Sequence, residues 1–168
     1  MKNQTLILFL LLILSGCATQ EQINTQSAIP KITDIDLQYA SAEAKSKNKN
    51  LMIVYTQESC QRCGKWLSNI KALQKTDKLL DKFKLYHVNM QKGIEVVCPS
   101  GIELDDEEFY QAKGIEGELS IVFHNDIGEV VYTYNSFPDE KTLPALLKYI
   151  NSKQYENRID FEDWLNKS

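Results

Sequence analysis

Beyond residue 35, the apolar positions of the chain alternate between helical and extended spacing. Leu37, Ala40 and Ala44 recur three or four residues apart, which predicts a helix that starts at Asp36. The continuous apolar run 51–55 follows a polar break, and such a run is typical of a strand covered on both faces. The pattern therefore predicts a helix followed by a central strand.

Helical spacing returns in the segment after Cys60, where Trp66, Leu67, Ile70 and Leu73 lie three or four residues apart. The segment 83–90 carries apolar residues at both alternating sets of positions, which predicts a strand with two buried faces. Four acidic residues at 105–108 favour a helix start, because negative charge stabilises the amino end of a helix. We predict this third helix to continue through residue 112.

The remainder of the chain predicts a hairpin followed by a helix. Apolar runs at 119–124 and 130–134 flank the turn-rich segment 125–128, as in two antiparallel neighbours. An amphipathic pattern at 143–150 predicts a helix that covers the sheet, with an aromatic appendage after it. The order of elements indicates a mixed α/β layer with parallel pairing early and antiparallel pairing late. Segment 91–104, with its glycines and proline, has no predicted element.

The amino terminus predicts export. Lys2 precedes an apolar run at 6–14, which has the charged start and short apolar core of a signal peptide. The run is too short to cross a hydrocarbon layer of about 30 Å. The segment Leu14–Cys17 resembles the bacterial lipobox, which implies cleavage before Cys17 and its lipidation. The alternative is an ordinary signal peptide that ends near a cysteine. By the same resemblance, Ala18 favours the periplasmic face of the outer membrane in a Gram-negative cell.

These features predict three regions. Residues 1–16 are a lipoprotein signal peptide, residues 17–34 are the lipidated cysteine and a polar, flexible tether, and residues 35–168 are one domain. The formal net charge is −4, and the lysines are interspersed with acidic residues. Nucleic acid is therefore excluded as an expected partner. We expect a protein of the cell envelope that is anchored in the membrane through Cys17.

The cysteines carry the candidate chemistry. Apart from Cys17, the chain has Cys60, Cys63 and Cys98, an odd number for an oxidising compartment. The spacing of Cys60 and Cys63 places two thiols within reach across the first turn of a helix, where the dipole stabilises a thiolate on Cys60. Arg62 adds positive charge there. We therefore predict that Cys60 attacks and that Cys63 resolves the mixed disulfide.

Two other interpretations of the pair, and two of Cys98, stay open. The pair could be half of a metal site, completed by Cys98 with His87 or His124, or it could be an inert structural disulfide. We predict no metal and no cofactor. Cys98 is either an apolar filler or the partner in a further disulfide, and the two histidines are expected to be core or surface residues.

A resemblance sharpens the redox interpretation. The segment 52–66 resembles the strand, active-site loop and first following helix of thioredoxin-like proteins. The segments 110–117, 121–123, 125–130 and 146–150, with Tyr155, Phe161 and Trp164, resemble the periplasmic thioredoxin-related family found with sulfur oxidation and disulfide reduction. The resemblance covers residues 36–165. It implies a thioredoxin-like α/β fold whose central mixed sheet has about four to five strands flanked by helices.

The chain departs from that family at two positions near the pair. Leu119 stands where the family has a cis proline, and a non-proline cis bond costs about 2.5 to 4 kcal/mol, so we expect a trans bond and a different loop shape. Val54 stands where thioredoxins bury an acid that moves protons for the resolving cysteine. Glu58 is the nearest replacement, either as a base or as a solvated side chain. We therefore name Glu58, Arg62 and Leu119 as possible modulators of the pair.

The leading functional hypothesis is a membrane-anchored thiol:disulfide oxidoreductase. Its expected partners are protein disulfides and a membrane electron donor or acceptor. A second hypothesis is a thioredoxin-fold binding or assembly lipoprotein without redox activity, which Leu119 and Val54 would allow. A third is a copper chaperone that holds Cu(I) with Cys60, Cys63 and Cys98, since thiolates are soft ligands.

Overall fold

The computed structural model describes residues 31–32, 35–90 and 95–167. The predicted signal peptide, Cys17 and most of the predicted tether lie outside the described residues. Within the described ranges, no helix has both the length and the apolar character needed to cross a membrane.

Five helices and eight strands are described in these ranges. The helices are α1 (Leu37–Ser46), α2 (Cys63–Gln74), α3 (Asp106–Lys113), α4 (Thr142–Asn151) and α5 (Phe161–Leu165), with short 3-10 helices at Leu80–Lys82 and Gln154–Asn157. The strands are β1 (Lys31–Ile32), β2 (Ile35–Asp36), β3 (Asn50–Gln57), β4 (Phe83–Met90), β5 (Glu95–Val97), β6 (Glu103–Asp105), β7 (Leu119–His124) and β8 (Val130–Tyr134).

The main sheet has five strands in the order β1-β4-β3-β7-β8. Strand β3 is central, and it pairs in parallel with β4 and antiparallel with β7. Strands β7 and β8 form the antiparallel hairpin, while β1 pairs in parallel with β4. The predicted central strand, mixed sheet and hairpin are confirmed.

Alternating residues of β3 face two separate apolar layers. Met52 and Val54 face the layer built by α2, α4 and α5, which also contains Cys63. We call this side the cysteine face. Ile53 and Tyr55 point the other way, toward α1 and α3, and we call that side the opposite face. Both layers are fully buried along β3, as the continuous apolar run predicted.

Segment 91–104, which had no predicted element, contributes to a second sheet. This sheet has three strands in the order β2-β5-β6, with β2 and β5 parallel and β5 and β6 antiparallel. Its strands have two or three residues each, too few to show a period in the sequence. Cys98 follows β5 in a turn that Gly101 closes by donating to the Cys98 carbonyl at 2.8 Å.

The β7–β8 turn is fixed against the opposite face at Gly128. This glycine has a φ of +89°, and a Cβ at this position would lie 2.9 Å from the Ser41 hydroxyl of α1 and 3.0 Å from Pro99. Its carbonyl accepts a hydrogen bond from Nδ1 of His124 at 3.0 Å. A side chain here would be strained, because it would require a left-handed backbone and would also meet three neighbours, the third being the Leu37 carbonyl oxygen at 3.0 Å.

Candidate active site

The two cysteines of the motif lie between the central strand β3 and helix α2. The Cys60 amide donates to the Gln57 carbonyl at 3.1 Å, so the chain turns sharply after β3. The first helical bond runs from Trp66 to the Arg62 carbonyl, and α2 begins at Cys63. Cys60 therefore precedes the helix and Cys63 begins it, so the pair lies where the strand passes into the helix and its two sulfurs are within reach of each other, as predicted.

Cys60 and Cys63 are joined in a disulfide with an S–S distance of 2.06 Å and a Cα–Cα distance of 5.5 Å. The two residues differ in exposure, since Cys60 is partly exposed and Cys63 is only 4% exposed. Cys60 is thus in part open to solution, while Cys63 is covered by protein. This asymmetry suits an attacking and a resolving thiol.

The layer under the disulfide is apolar. Val54, Leu119 and Ile121 are buried with Cys63 on the cysteine face, and Val54 is aligned with His87 on one neighbouring strand and with Ile121 on the other. A polar pair on this face joins Thr56 Oγ1 and Nε2 of His87, at 2.8 Å. Val54 thus leaves no acid at the position where the family buries one.

Leu119 begins β7 beside the disulfide and is aligned with Thr56 of β3. None of the described peptide bonds is cis, in agreement with the expected trans bond. The residue before it, Glu118, accepts a hydrogen bond from the Gln57 amide at 3.0 Å through its main-chain oxygen. The same oxygen lies 3.4 Å from the Sγ of Cys63. The strand that carries Leu119 therefore also brings a carbonyl against the buried sulfur.

Arg62, which is predicted to add positive charge beside the pair, is bound by two neighbours. Its Nη2 lies 2.8 Å from Oε2 of Glu118, and its guanidinium lies 4.2 Å from the centre of the Phe137 ring. Phe137 in turn meets Trp66 edge to face, at 6.5 Å between ring centres. Nothing in the sequence pointed to Glu118 and Phe137 as partners of Arg62, because both lie far from it along the chain, Glu118 by 56 positions.

Glu58 is exposed and points to a different part of the surface. It lines a cavity of about 610 Å³ together with Tyr110, Ile115 and Glu116, and neither cysteine lines this cavity. The structure therefore places Glu58 beside the loop of the motif without bringing it to the sulfurs. Of the three predicted modulators, Arg62 and Leu119 lie in the immediate surroundings of the disulfide.

Cys98 is a free, partly buried cysteine on the opposite face of the sheet. The central sheet separates it from the disulfide, so the three-thiol copper site and the zinc site completed by Cys98 are wrong for this fold. In the described part of the chain, no three His, Cys, Asp or Glu side chains are grouped to hold a metal. His124 is buried on the opposite face, and desolvation lowers its pKa to about 4.

Comparisons with known proteins agree with this architecture. A solved thioredoxin-fold protein from Helicobacter pylori superposes with a TM-score of 0.54 and 19% identity, covering 84% of this chain and 85% of that chain. A mutant thioredoxin from Halobacterium salinarum gives a TM-score of 0.47 and 16% identity, covering 74% of this chain and 93% of that chain. No curated protein matches the chain.

A family model described as a thioredoxin-like domain matches residues 37–151. The match spans the central strand β3, the disulfide, the β7–β8 hairpin and the covering helix α4. It includes both cysteines of the motif and the Glu118 carbonyl that touches one of them. The chain therefore belongs to the thioredoxin-like domain family.

Proposed function

We propose that the protein is a thiol:disulfide oxidoreductase of the bacterial cell envelope that acts on protein disulfides. The observation that carries the proposal is the Cys60–Cys63 disulfide, with one cysteine partly exposed and the other buried, after the central strand of a thioredoxin-like fold. A fold of this kind with a reversible cysteine pair fits dithiol–disulfide exchange at the coarse level. The substrate, the redox partner and the membrane anchor are part of the proposal.

The exchange proceeds in two balanced steps. The Cys60 thiolate attacks one sulfur of a substrate disulfide, a mixed disulfide forms, and the first substrate thiolate leaves and takes up a proton. Cys63 then loses its proton and attacks Cys60 Sγ, which re-forms the protein disulfide and releases the second substrate thiol. The substrate gains two electrons and two protons, and the protein dithiol loses them. An electron donor of the membrane restores the dithiol after each cycle.

The lipobox-like segment Leu14–Cys17 supports anchoring at the membrane, and Ala18 favours its outer-membrane form. A short acyl-anchored tether would keep the domain at the membrane surface, because two or more acyl chains make attachment stable. The resemblance to the periplasmic family found with sulfur oxidation and disulfide reduction supports a periplasmic substrate. These features together suggest an envelope protein whose substrates are exported proteins.

The experiment is a redox titration of the full-length protein, purified in detergent, in glutathione buffers. Alkylated thiols at Cys60, Cys63 and Cys98 are counted by mass spectrometry after digestion, and the mass of the peptide from Cys17 reports lipidation. We expect one reversible two-electron couple at Cys60 and Cys63, with Cys98 outside it. The absence of a couple across the glutathione range would contradict the proposal and favour a binding lipoprotein without redox activity.

Catalysis is tested with insulin reduction by the same protein. Cys60→Ser should abolish turnover, whereas Cys98→Ser, the matched loss of a thiol on the opposite face, should retain it. Cys63→Ser should trap mixed disulfides, because the resolving thiol is missing. Full turnover by Cys60→Ser would refute the assignment of the attacking thiol.

A further inference from the structure

We propose that Arg62 and Glu118 form a clasp that holds the Glu118 carbonyl against Cys63 and thereby sets the redox equilibrium of the cysteine pair. Both are positioning residues, since they act through the main-chain oxygen of Glu118. The inference rests on the proposed function, because it concerns the regulation of the same disulfide. It starts from three contacts that meet at the disulfide.

The first contact is the Glu118 carbonyl itself. Its oxygen lies 3.4 Å from Cys63 Sγ, and in the disulfide this sulfur carries no hydrogen to donate. After reduction, the Cys63 thiol can donate to that oxygen, which is also aligned by the Gln57 amide at 3.0 Å. A hydrogen bond that exists in the dithiol alone shifts the equilibrium toward the dithiol. It also keeps the proton on Cys63, so that Cys60 is the thiol that ionises.

The second contact is the ion pair. Glu118 follows Gly117, whose φ of +77° is a conformation that most residues avoid, and glycine restrains the backbone before β7 less than any other residue would. The Arg62 guanidinium reaches across from the cysteine loop and binds the Glu118 carboxylate at 2.8 Å. It therefore ties Glu118 to the residue that precedes Cys63 and adds a restraint that Gly117 does not supply.

The third contact, between Arg62 and the Phe137 ring, distinguishes this ion pair from an ordinary surface salt bridge. The side chains of Arg62 and Glu118 are 70% and 52% exposed, and exposed pairs of this kind contribute little when both ends are free to move. Here the guanidinium also lies over the Phe137 ring at 4.2 Å, and Phe137 packs on Trp66 of α2. The arginine is thus held at two points, by Glu118 and by Phe137.

The clasp and the effect of charge alone predict different signs for the change in the equilibrium constant of oxidation by glutathione. If the carbonyl contact matters, both Arg62→Ala and Glu118→Ala weaken the dithiol and raise the equilibrium constant for oxidation by glutathione. Charge alone would give opposite shifts, because a lost cation disfavours the Cys60 thiolate and a lost anion favours it. The double variant distinguishes the two explanations further. The clasp predicts that its equilibrium constant shifts as much as that of one single variant, whereas charge alone predicts the wild-type equilibrium constant.

The experiment measures that equilibrium constant for the full-length protein and the three variants in glutathione buffers at pH 7. We expect an increase of about threefold in each, which corresponds to about 14 mV in the negative direction because a tenfold change is 29.6 mV. Arg62→Lys should give a smaller shift, since an ammonium keeps the charge but lacks the planar fork. Lys45→Ala, which breaks the exposed Lys45–Asp126 pair at 3.3 Å, is the control and should give none.

Opposite shifts in the single variants, additive shifts in the double variant, or no shift in any of them would overturn the clasp. Circular dichroism tests whether each variant is folded. We expect folded variants, because both side chains are largely exposed. A wild-type protein without any couple would instead refute the proposed function. The two failures are therefore distinguishable in one set of titrations.

Discussion

The two faces of the central sheet bury similar apolar layers but differ in the state of their polar groups. On the cysteine face, the Tyr149 hydroxyl donates to the Ile159 carbonyl at 2.6 Å, and Thr56 bonds to His87. On the opposite face, the Tyr55 and Tyr110 hydroxyls and Nε2 of His124 are buried with no hydrogen-bond partner among the described residues. These buried polar groups of the cysteine face thus have hydrogen-bond partners. The opposite face buries polar atoms that have none among the described residues, which costs free energy of folding.

Because the disulfide lies on one face only, the two faces should affect the redox couple and the free energy of unfolding differently. Changes on the opposite face should alter the free energy of unfolding and leave the redox couple unchanged, since the sheet separates them from the sulfurs. Changes beside Cys63 should alter both. The following predictions test that separation, beginning with the largest expected effect.

Phe109→Ala on the opposite face should lower the free energy of unfolding by about 3 to 5 kcal/mol, because it leaves a large cavity under α3. Its glutathione equilibrium constant should match the wild type. Leu119→Ala on the cysteine face should cost about 2 to 5 kcal/mol and also move that constant, since Leu119 follows the carbonyl that touches Cys63. Urea unfolding and redox titration of both variants check this, and an altered constant in Phe109→Ala would contradict the separation.

Acid should destabilise the protein through His124. Its Nδ1 donates to the Gly128 carbonyl, and burial lowers its pKa from 6.5 to about 4, so that at neutral pH the ring is neutral and Nε2 is unprotonated. Between these values the unfolded chain binds the proton and the folded chain does not, so stability falls as the pH drops. We expect a loss of roughly 2.5 kcal/mol from this group between pH 7.5 and pH 4.5.

Urea unfolding at both pH values measures that loss. His124→Asn, whose amide can replace the Nδ1 donor, is the matched variant and should show a smaller difference between the two pH values. The carboxyl groups of Glu43 and Asp139, whose pKa values are lowered by lysine contacts and by backbone hydrogen bonds respectively, are present in both proteins. An equal acid loss in the two proteins would show that His124 is not the cause.

Reduction of the disulfide should lower the free energy of unfolding by about 2 kcal/mol, because the bond closes a very short loop in the unfolded chain. Unfolding with and without dithiothreitol measures the difference. Cys98→Ser should keep the same difference, since Cys98 is outside the pair. An unchanged stability on reduction would indicate that the dithiol gains compensating contacts.

The smallest expected change in the free energy of unfolding comes from removing the hydroxyl of either of two buried tyrosines. Tyr149→Phe removes a hydroxyl that donates to Ile159 and should cost about 1 kcal/mol. Tyr55→Phe removes a hydroxyl with no described partner and should be neutral or stabilising by up to about 1 kcal/mol. Thermal unfolding of both variants checks the signs, and a large loss in Tyr55→Phe would show that its hydroxyl is satisfied after all.

Most of the fold followed from local patterns, and most of the site's fine geometry did not. The apolar run at β3 and the turn between β7 and β8 show in the sequence, because each depends on neighbouring residues. The three-stranded sheet does not show in the sequence, since strands of two or three residues are too short to display an alternation of apolar and polar positions. The cysteine pair was identified from its spacing, whereas the approach of Glu118 and Phe137 to Arg62 depends on how distant segments fold together.

Gly128 has a practical consequence for labelling the protein. Asp126 and Ile127 are exposed at the tip of the hairpin, so a fluorophore or linker attached there would extend into solvent. One attached at Gly128 would meet Ser41 and Pro99 and would lift the hairpin from α1. Because β7 leads from that turn to Leu119 beside the disulfide, a label at Gly128 could disturb the surroundings of the sulfurs, whereas one at Asp126 or Ile127 would report on them without that disturbance.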